Sequence, residues 1–189
     1  MRHKYHLTIS IAVFLTSGLW GLYWIPQRAL QNGGLTGGWG TVAQYLIPLI
    51  VLTPLIVWKF IKGKPTGLHL PLIGLFFGGG IACYANSFLF TDLMRVFILF
   101  YLMPVWTTIF EIIFFKQKPK WQRGVSLFLA LLGLWIVFGQ DGNLPIPVNV
   151  GDWLALFGGF LCAAGAIKLE EASSEDISSL LYSFFFYGL

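Results

Sequence analysis

The sequence predicts an all-α fold, a polytopic bundle of transmembrane helices. Three observations predict it. The 189 residues are 57% hydrophobic and only 11% charged, where a soluble domain carries about 25% charged residues. Apolar runs of spanning length recur between short polar links. The charges gather in those links rather than in the runs. With a mean hydropathy of +0.75 and 17% aromatic residues, there is too little polar surface to cover a water-exposed globule. These numbers exclude a soluble enzyme, a disordered tail and a nucleic-acid-binding module, even with a net charge of +4. Cys83 and Cys162 lie inside apolar runs, so no disulfide framework is implied.

A helix needs about 20 apolar residues to cross about 30 Å of hydrocarbon. Leu7 to Gln27 is uncharged and forms the first span. The basic opening before it could begin a signal peptide, but no small-residue cleavage site follows. Trp39 to Trp58 forms the second span, interrupted by Gln44, Pro48 and Pro54. Leu70 to Phe90 forms the third, and Val96 to Phe115 the fourth, with Glu111 inside it. Val125 to Phe138 and Trp153 to Ile167 are shorter. A run of 15 residues rises only about 22 Å, and Arg123 and Lys168 complete these spans by snorkelling to the interface. A seventh run, Ile177 to Leu189, has 13 residues, too few to cross. A terminal carboxylate is costly in hydrocarbon. The chain is therefore expected to be part of a longer one, the alternative being a last helix lying flat at the interface.

The links carry turn residues. Gln31 to Gly38 is glycine-rich, and Lys62 to His69 contains Pro65. Thr91 to Arg95 is tight, with Asp92 and Arg95 expected to pair. Lys116 to Gly124 contains Pro119, Gly139 to Asp152 holds Pro145 and Pro147, and Lys168 to Asp176 is polar and acidic. If the N-terminus is cytoplasmic, ten of the 12 Lys and Arg residues fall inside (Arg2, Lys4, Lys59, Lys62, Lys64, Lys116, Lys118, Lys120, Arg123 and Lys168). Only Arg28 and Arg95 fall outside. That is the positive-inside pattern, and it places the chain in the cell (inner) membrane, multi-pass, N-terminus inside.

Two segments repeat weakly. Phe14 to Leu30 and Leu156 to Ala172 share small residues at Ser17 and Gly159 and at Gly21 and Ala163, with Leu19 matching Leu161 and Ile25 matching Ile167. They lie five spans apart and so cross in opposite directions, the geometry of an inverted-topology repeat. The stretch Leu99 to Gly139, with Leu102-Met103-Pro104-Val105-Trp106, a short basic link and Gly124 opening a Leu- and Gly-rich span, resembles the end of an EamA repeat of the drug/metabolite transporter superfamily. Leu19-Trp20-Gly21 with Arg28 resembles the first helix of these permeases, and Gly151-Asp152-Trp153-Leu154-Ala155-Leu156 resembles the opening of their second repeat. The resemblance implies ten spans in two inverted five-helix repeats. Residues 1–140 would be the first repeat, 141–152 an extracytoplasmic link and 153–189 the start of the second. It implies a secondary transporter that moves amino acids, related metabolites or drugs, outward. One departure is the link after the fourth span, where the family often has Gly-Glu and this chain reads Lys116-Gln117.

Polar and aromatic groups mark the faces that lipid does not reward. Trp20, Trp24 and Gln27 share a helical face beside Tyr23, with Arg28 just beyond at the outer boundary. Thr41, Gln44, Tyr45 and Pro48 form a second stripe. Gly79, Cys83 and Asn86 form a third, beside Tyr84 and Ser87. Pro104, Thr107, Thr108 and Glu111 fall at i, i+3, i+4, i+7. The substrate-path candidates are Trp20, Tyr23, Trp24, Arg28, Gln44, Tyr45, Tyr84, Asn86, Thr107 and Thr108. The bland reading of each is interhelical hydrogen bonding. Glu111 is the coupling-ion candidate, because a buried acid costs on the order of 2.5–3.5 kcal/mol at a helix centre. Its bland reading is a pair with Lys116 or Lys118. Gly74 to Gly78, followed by Gly79 and Gly80, is read as a close helix contact.

No cofactor and no metal are expected, since His3, His6 and His69 lack further ligands nearby. No phosphate loop, zinc-protease motif or nucleophile elbow occurs, so no enzyme is expected. The expected partners are a small-molecule solute and the lipid bilayer, with a homodimer as an open arrangement and no nucleic acid. The competing reading is a non-transporting membrane scaffold or assembly partner.

Overall fold

The computed structural model describes residues 2–62, 69–116, 121–139, 146–171 and 176–189. Lys64, Lys118, Lys120, Pro65, Pro119, Pro145 and Ala172 lie outside them. Every regular element among the described residues is a helix. In chain order they are α1 (Arg2–Gly21), α2 (Trp24–Asn32), α3 (Trp39–Ile61), α4 (Leu70–Ser87), α5 (Leu93–Phe100), α6 (Met103–Phe115), α7 (Trp121–Gly139), α8 (Val150–Glu171) and α9 (Ile177–Gly188). Among the described residues, five stretches are long and apolar enough to cross a membrane: Leu7–Asn32, Trp39–Ile61, Leu70–Ser87, Leu93–Phe115 and Val150–Leu169. The helix α7 carries the Val125 to Phe138 run.

Two expected spans are each a pair of helices, and proline accounts for the position of both breaks. Pro26 has no N–H to offer the carbonyl four residues back. That carbonyl, of Leu22, accepts from the Ile25 N–H at 3.0 Å instead. Leu22 and Tyr23 likewise donate three residues back, each at 3.1 Å, so the chain tightens into a turn between α1 and α2. Past the turn, α2 runs on beyond Gln27 to Asn32. The fourth expected span breaks at Tyr101–Leu102, and Pro104 then occupies the first turn of α6, where its missing N–H costs nothing. This span also begins earlier than expected, so Arg95 lies within α5 rather than in a link.

The core is built around α4, which packs against α8 and against α9. Both contacts need glycine. A Cβ on Gly80 would stand 2.9 Å from the Gly158 carbonyl oxygen, and one on Gly158 would stand 2.7 Å from that of Gly80. At Gly78 a Cβ would run into the α9 backbone at Phe184 and Gly188. The glycines that the sequence marks for close packing therefore serve two partners, with Gly74 and Gly78 toward α9 and Gly80 toward α8. Tyr45 on α3 fastens a third helix to this unit. It is buried, donates its hydroxyl to the Gly78 carbonyl at 3.0 Å and stacks on Phe184. By contrast, residues 7–20 of α1 and nearly all described side chains of α7 are exposed, and outside Thr16, Ser17 and Trp20 the α1 stretch offers a mostly apolar surface suited to lipid.

The bundle is also tied at both ends. Where α4 finishes, the fully buried carboxylate of Asp152 on α8 meets Arg95 on α5. It accepts from Arg95 Nη2 at 2.6 Å, from Thr91 Oγ1 at 2.7 Å and from the Val148 N–H at 3.0 Å. Asn149 braces the same knot by donating to Thr91 Oγ1 at 3.0 Å. The expected Asp92–Arg95 pair is thus corrected: Asp92 is the exposed residue before α5, while the buried Asp152 is the carboxylate that most needs a counter-charge. At the opposite end Lys59 of α3 pairs with Asp176. Asp176 caps α9 by accepting from the Ser178 N–H at 3.0 Å.

Candidate functional site

A cavity of about 600 Å³ opens beside both helix breaks. Thr16, Ser17 and Trp20 line it from α1, and Phe77 and Ile81 from α4. Phe100, Tyr101 and Met103 come from the α5–α6 break, Cys162 from α8 and Phe184 from α9. The breaks matter here because they end α1 at Trp20–Gly21 and α5 at Phe100, so aromatic rings stand at the cavity wall. The size is within the about 300–1,000 Å³ usual for small-molecule sites.

Behind this wall the rings form a continuous stack. Trp20 lies parallel to Tyr23 at 5.7 Å and to Tyr84 at 6.1 Å, and Tyr23 faces Tyr84 at 6.2 Å. Phe88 and Phe100 close on Tyr84 at 4.8 and 4.2 Å. Three sequence candidates, Trp20, Tyr23 and Tyr84, therefore come together, with Trp24 packed against the same core. The Tyr84 hydroxyl is buried among these groups without a hydrogen-bond partner, a condition that costs about 1–3 kcal/mol.

A second group collects toward the end where α2 meets α3. Buried Gln27 donates to Thr41 Oγ1 at 2.9 Å, and Gln44 donates to Gln27 Oε1. The Thr41 hydroxyl donates to Asn86 Oδ1 at 3.3 Å. Gln44 and Asn86 thus stand in one network spanning α2, α3 and α4. Arg28 is exposed just beyond, its guanidinium 5.7 Å from the centre of the Trp24 ring.

The remaining candidates are placed elsewhere. Tyr45 is committed to the α3–α4–α9 contact described above. Thr107 and Thr108 donate their hydroxyls to carbonyls of their own helix, at 2.9 Å to Met103 and 2.8 Å to Pro104. Glu111 forms an ion pair with Arg123 of α7. The bland reading names Lys116 or Lys118, the latter outside the described residues; the partner is instead Arg123, because α7 returns beside α6 and brings a forked guanidinium to both carboxylate oxygens. Sequence reasoning did not select the cavity wall itself, formed by Ile81, Phe100, Cys162 and Phe184. Those residues carry no signal beyond apolarity until the two breaks are known.

No described residue lining the cavity carries a charge. An ion moved there from water costs several kcal/mol, and a cation over an aromatic face recovers only about 2 kcal/mol. Among the described residues no group of three or more His, Cys, Asp or Glu side chains is placed to hold a metal.

Neither a curated protein nor a solved structure matches the chain. A family match is nevertheless clear: the EamA-like transporter family covers residues 7–139, from within α1 through the end of α7, and so takes in both breaks and most of the cavity wall. That family consists of transporters, not enzymes, and its members handle small solutes within a lipid bilayer. The all-helical architecture, the five helices of spanning length and this match together establish the chain as a multi-pass membrane protein of the EamA-like transporter family, within the drug/metabolite transporter superfamily.

Proposed function

We propose that this protein carries small metabolites or drugs across the cell membrane by alternating access, in the outward direction. One observation carries the reading. Two discontinuous helix pairs, α1–α2 and α5–α6, both break at one cavity that α8 and α9 complete. Secondary transporters form their sites at such breaks, where one repeat meets the other. In this reading residues 1–140 are one five-helix repeat, 141–152 the link and 153–189 the opening of an inverted second repeat. The N-terminus faces the cytoplasm of a cell bounded by this inner membrane, as the distribution of Lys and Arg supports. A homodimer would use the apolar outer faces of α1 or α7.

The path runs past Trp20, Tyr23, Trp24 and Tyr84, with Gln44 and Asn86 as polar contacts and Arg28 at the mouth. Thr107 and Thr108, their hydroxyls already engaged, offer methyl faces, and Tyr45 supports the path from behind. Glu111 is the coupling group. Its carboxylate is paired with Arg123 and so links α6 to α7.

Flux into proteoliposomes tests this reading. Trp20→Ala should lower uptake at least about tenfold, the effect of losing roughly 1.4 kcal/mol of solute contact. Glu111→Gln should fold normally and flatten the pH dependence of uptake. An unchanged pH profile removes Glu111 from coupling. A chain that moves none of a broad solute panel is a scaffold instead.

A further inference from the structure

We propose that the cavity selects an uncharged solute with a flat apolar body, and that it discriminates against zwitterions and carboxylates of the same shape. This rests on the transport reading above, and narrows it. The wall includes Trp20, Phe100, Ile81, Met103, Cys162 and Phe184, and every described lining residue is uncharged. Its hydroxyls, on Thr16, Ser17 and Tyr101, are neutral donors that bring no charge to offset an ion's, and Thr16 is already engaged with the carbonyls of Ala12 and Val13 at 2.9 and 3.0 Å.

The nearby charged groups are committed elsewhere. Arg95 is held by Asp152, and Arg123 by Glu111. Arg28, exposed midway along α2, lies out over Trp24. A solute carboxylate in the cavity would therefore lose water and meet no charged side chain among the described lining residues in exchange. A solute ammonium would find aromatic faces, but these recover less than the hydration it gives up. A neutral ring meets the opposite situation. Trp20 already stacks in parallel with Tyr23 and Tyr84, so its ring is held still and the ordering cost of a further stacked partner is small.

Equilibrium titration of the full chain in lipid nanodiscs, corrected with empty nanodiscs, tests the proposal. Four probes share one ring and differ in charge: 2-phenylethanol, 2-phenylethylamine, phenylacetate and phenylalanine. The neutral probe should bind at least about tenfold more tightly than phenylalanine or phenylacetate, and Trp20→Ala should weaken it while Trp20→Phe restores much of the loss. Met103→Lys supplies the missing cation and should raise phenylacetate binding at least about tenfold. If phenylalanine binds as tightly as 2-phenylethanol, and Trp20→Ala weakens both, the charge preference is wrong while the transport site stands. If no probe shows binding that depends on Trp20, the proposal is overturned. Should Trp20→Ala then also leave proteoliposome flux unchanged, the transport reading of this cavity falls with it.

Discussion

Asp152 and Asp176 occupy comparable places. Each stands at the start of a helix, α8 or α9, and each meets a cation from an earlier helix, at opposite ends of the bundle. Their surroundings differ. Asp152 is fully buried and receives donors from a side-chain hydroxyl, a guanidinium and a backbone N–H. Asp176 has a 60% exposed side chain and relies on one flexible ammonium and the groups of Ser178. The lesson is that an ion pair's distance does not set its value. What matters is how much water each ion has given up and how many other bonds hold it in place.

The largest effect should come from Asp152→Ala. Removing one partner of a buried pair costs about 3–5 kcal/mol. Arg95 keeps some contact with solvent, so the lower end of that range is expected, read as a fall in unfolding temperature of the detergent-solubilised protein. A loss close to zero would mean that the knot contributes no more than the exposed pair. Gly80→Val separates the knot from the packing next to it. The added side chain forces α4 and α8 apart, with an expected cost of about 1–3 kcal/mol in the same assay. If it costs more than Asp152→Ala, backbone contact rather than charge dominates at this end.

Asp176→Asn should have the smallest effect, and high salt should shrink it further. Its pH dependence is also constrained. Hydrogen bonds from Lys59 and Ser178 hold the Asp176 carboxyl below the usual carboxylate range. A lowered pKa gives stability that is present above the ordinary value and lost only as pH falls through the lowered one. The difference in unfolding temperature between wild type and Asp176→Asn should therefore stay constant from mildly alkaline to mildly acidic buffer. A difference that disappears in mild acid would show that the pair is not formed.

Much of this architecture was legible in the sequence. The apolar runs give the helices, and the glycines from Gly74 to Gly80 mark close packing, because hydrocarbon length and missing side chains are local properties. The face shared by Trp20, Tyr84 and their neighbours was also legible as polar and aromatic residues at helical spacing. What the sequence could not rank was choice of partner. Arg95 had Asp92 three residues away, but its partner is Asp152, brought alongside by α8. Glu111 had lysines just downstream, but α7 delivers Arg123. Proximity along the chain is a poor guide once helices fold back, since desolvation decides which carboxylate most needs a cation. The breaks at Pro26 and Pro104 were visible as prolines, while their meeting at one cavity depends on three-dimensional placement.

The glycine contacts of α4 have a consequence for biogenesis. The surfaces that cover Gly74, Gly78 and Gly80 come from α8 and α9, far downstream in the chain. Until those segments leave the ribosome and enter the bilayer, α4 carries an open furrow down its middle, filled by lipid tails or by a chaperone. Final seating of this central rod must therefore wait for the late helices, and translation halted between α7 and α8 would leave a protease-sensitive intermediate.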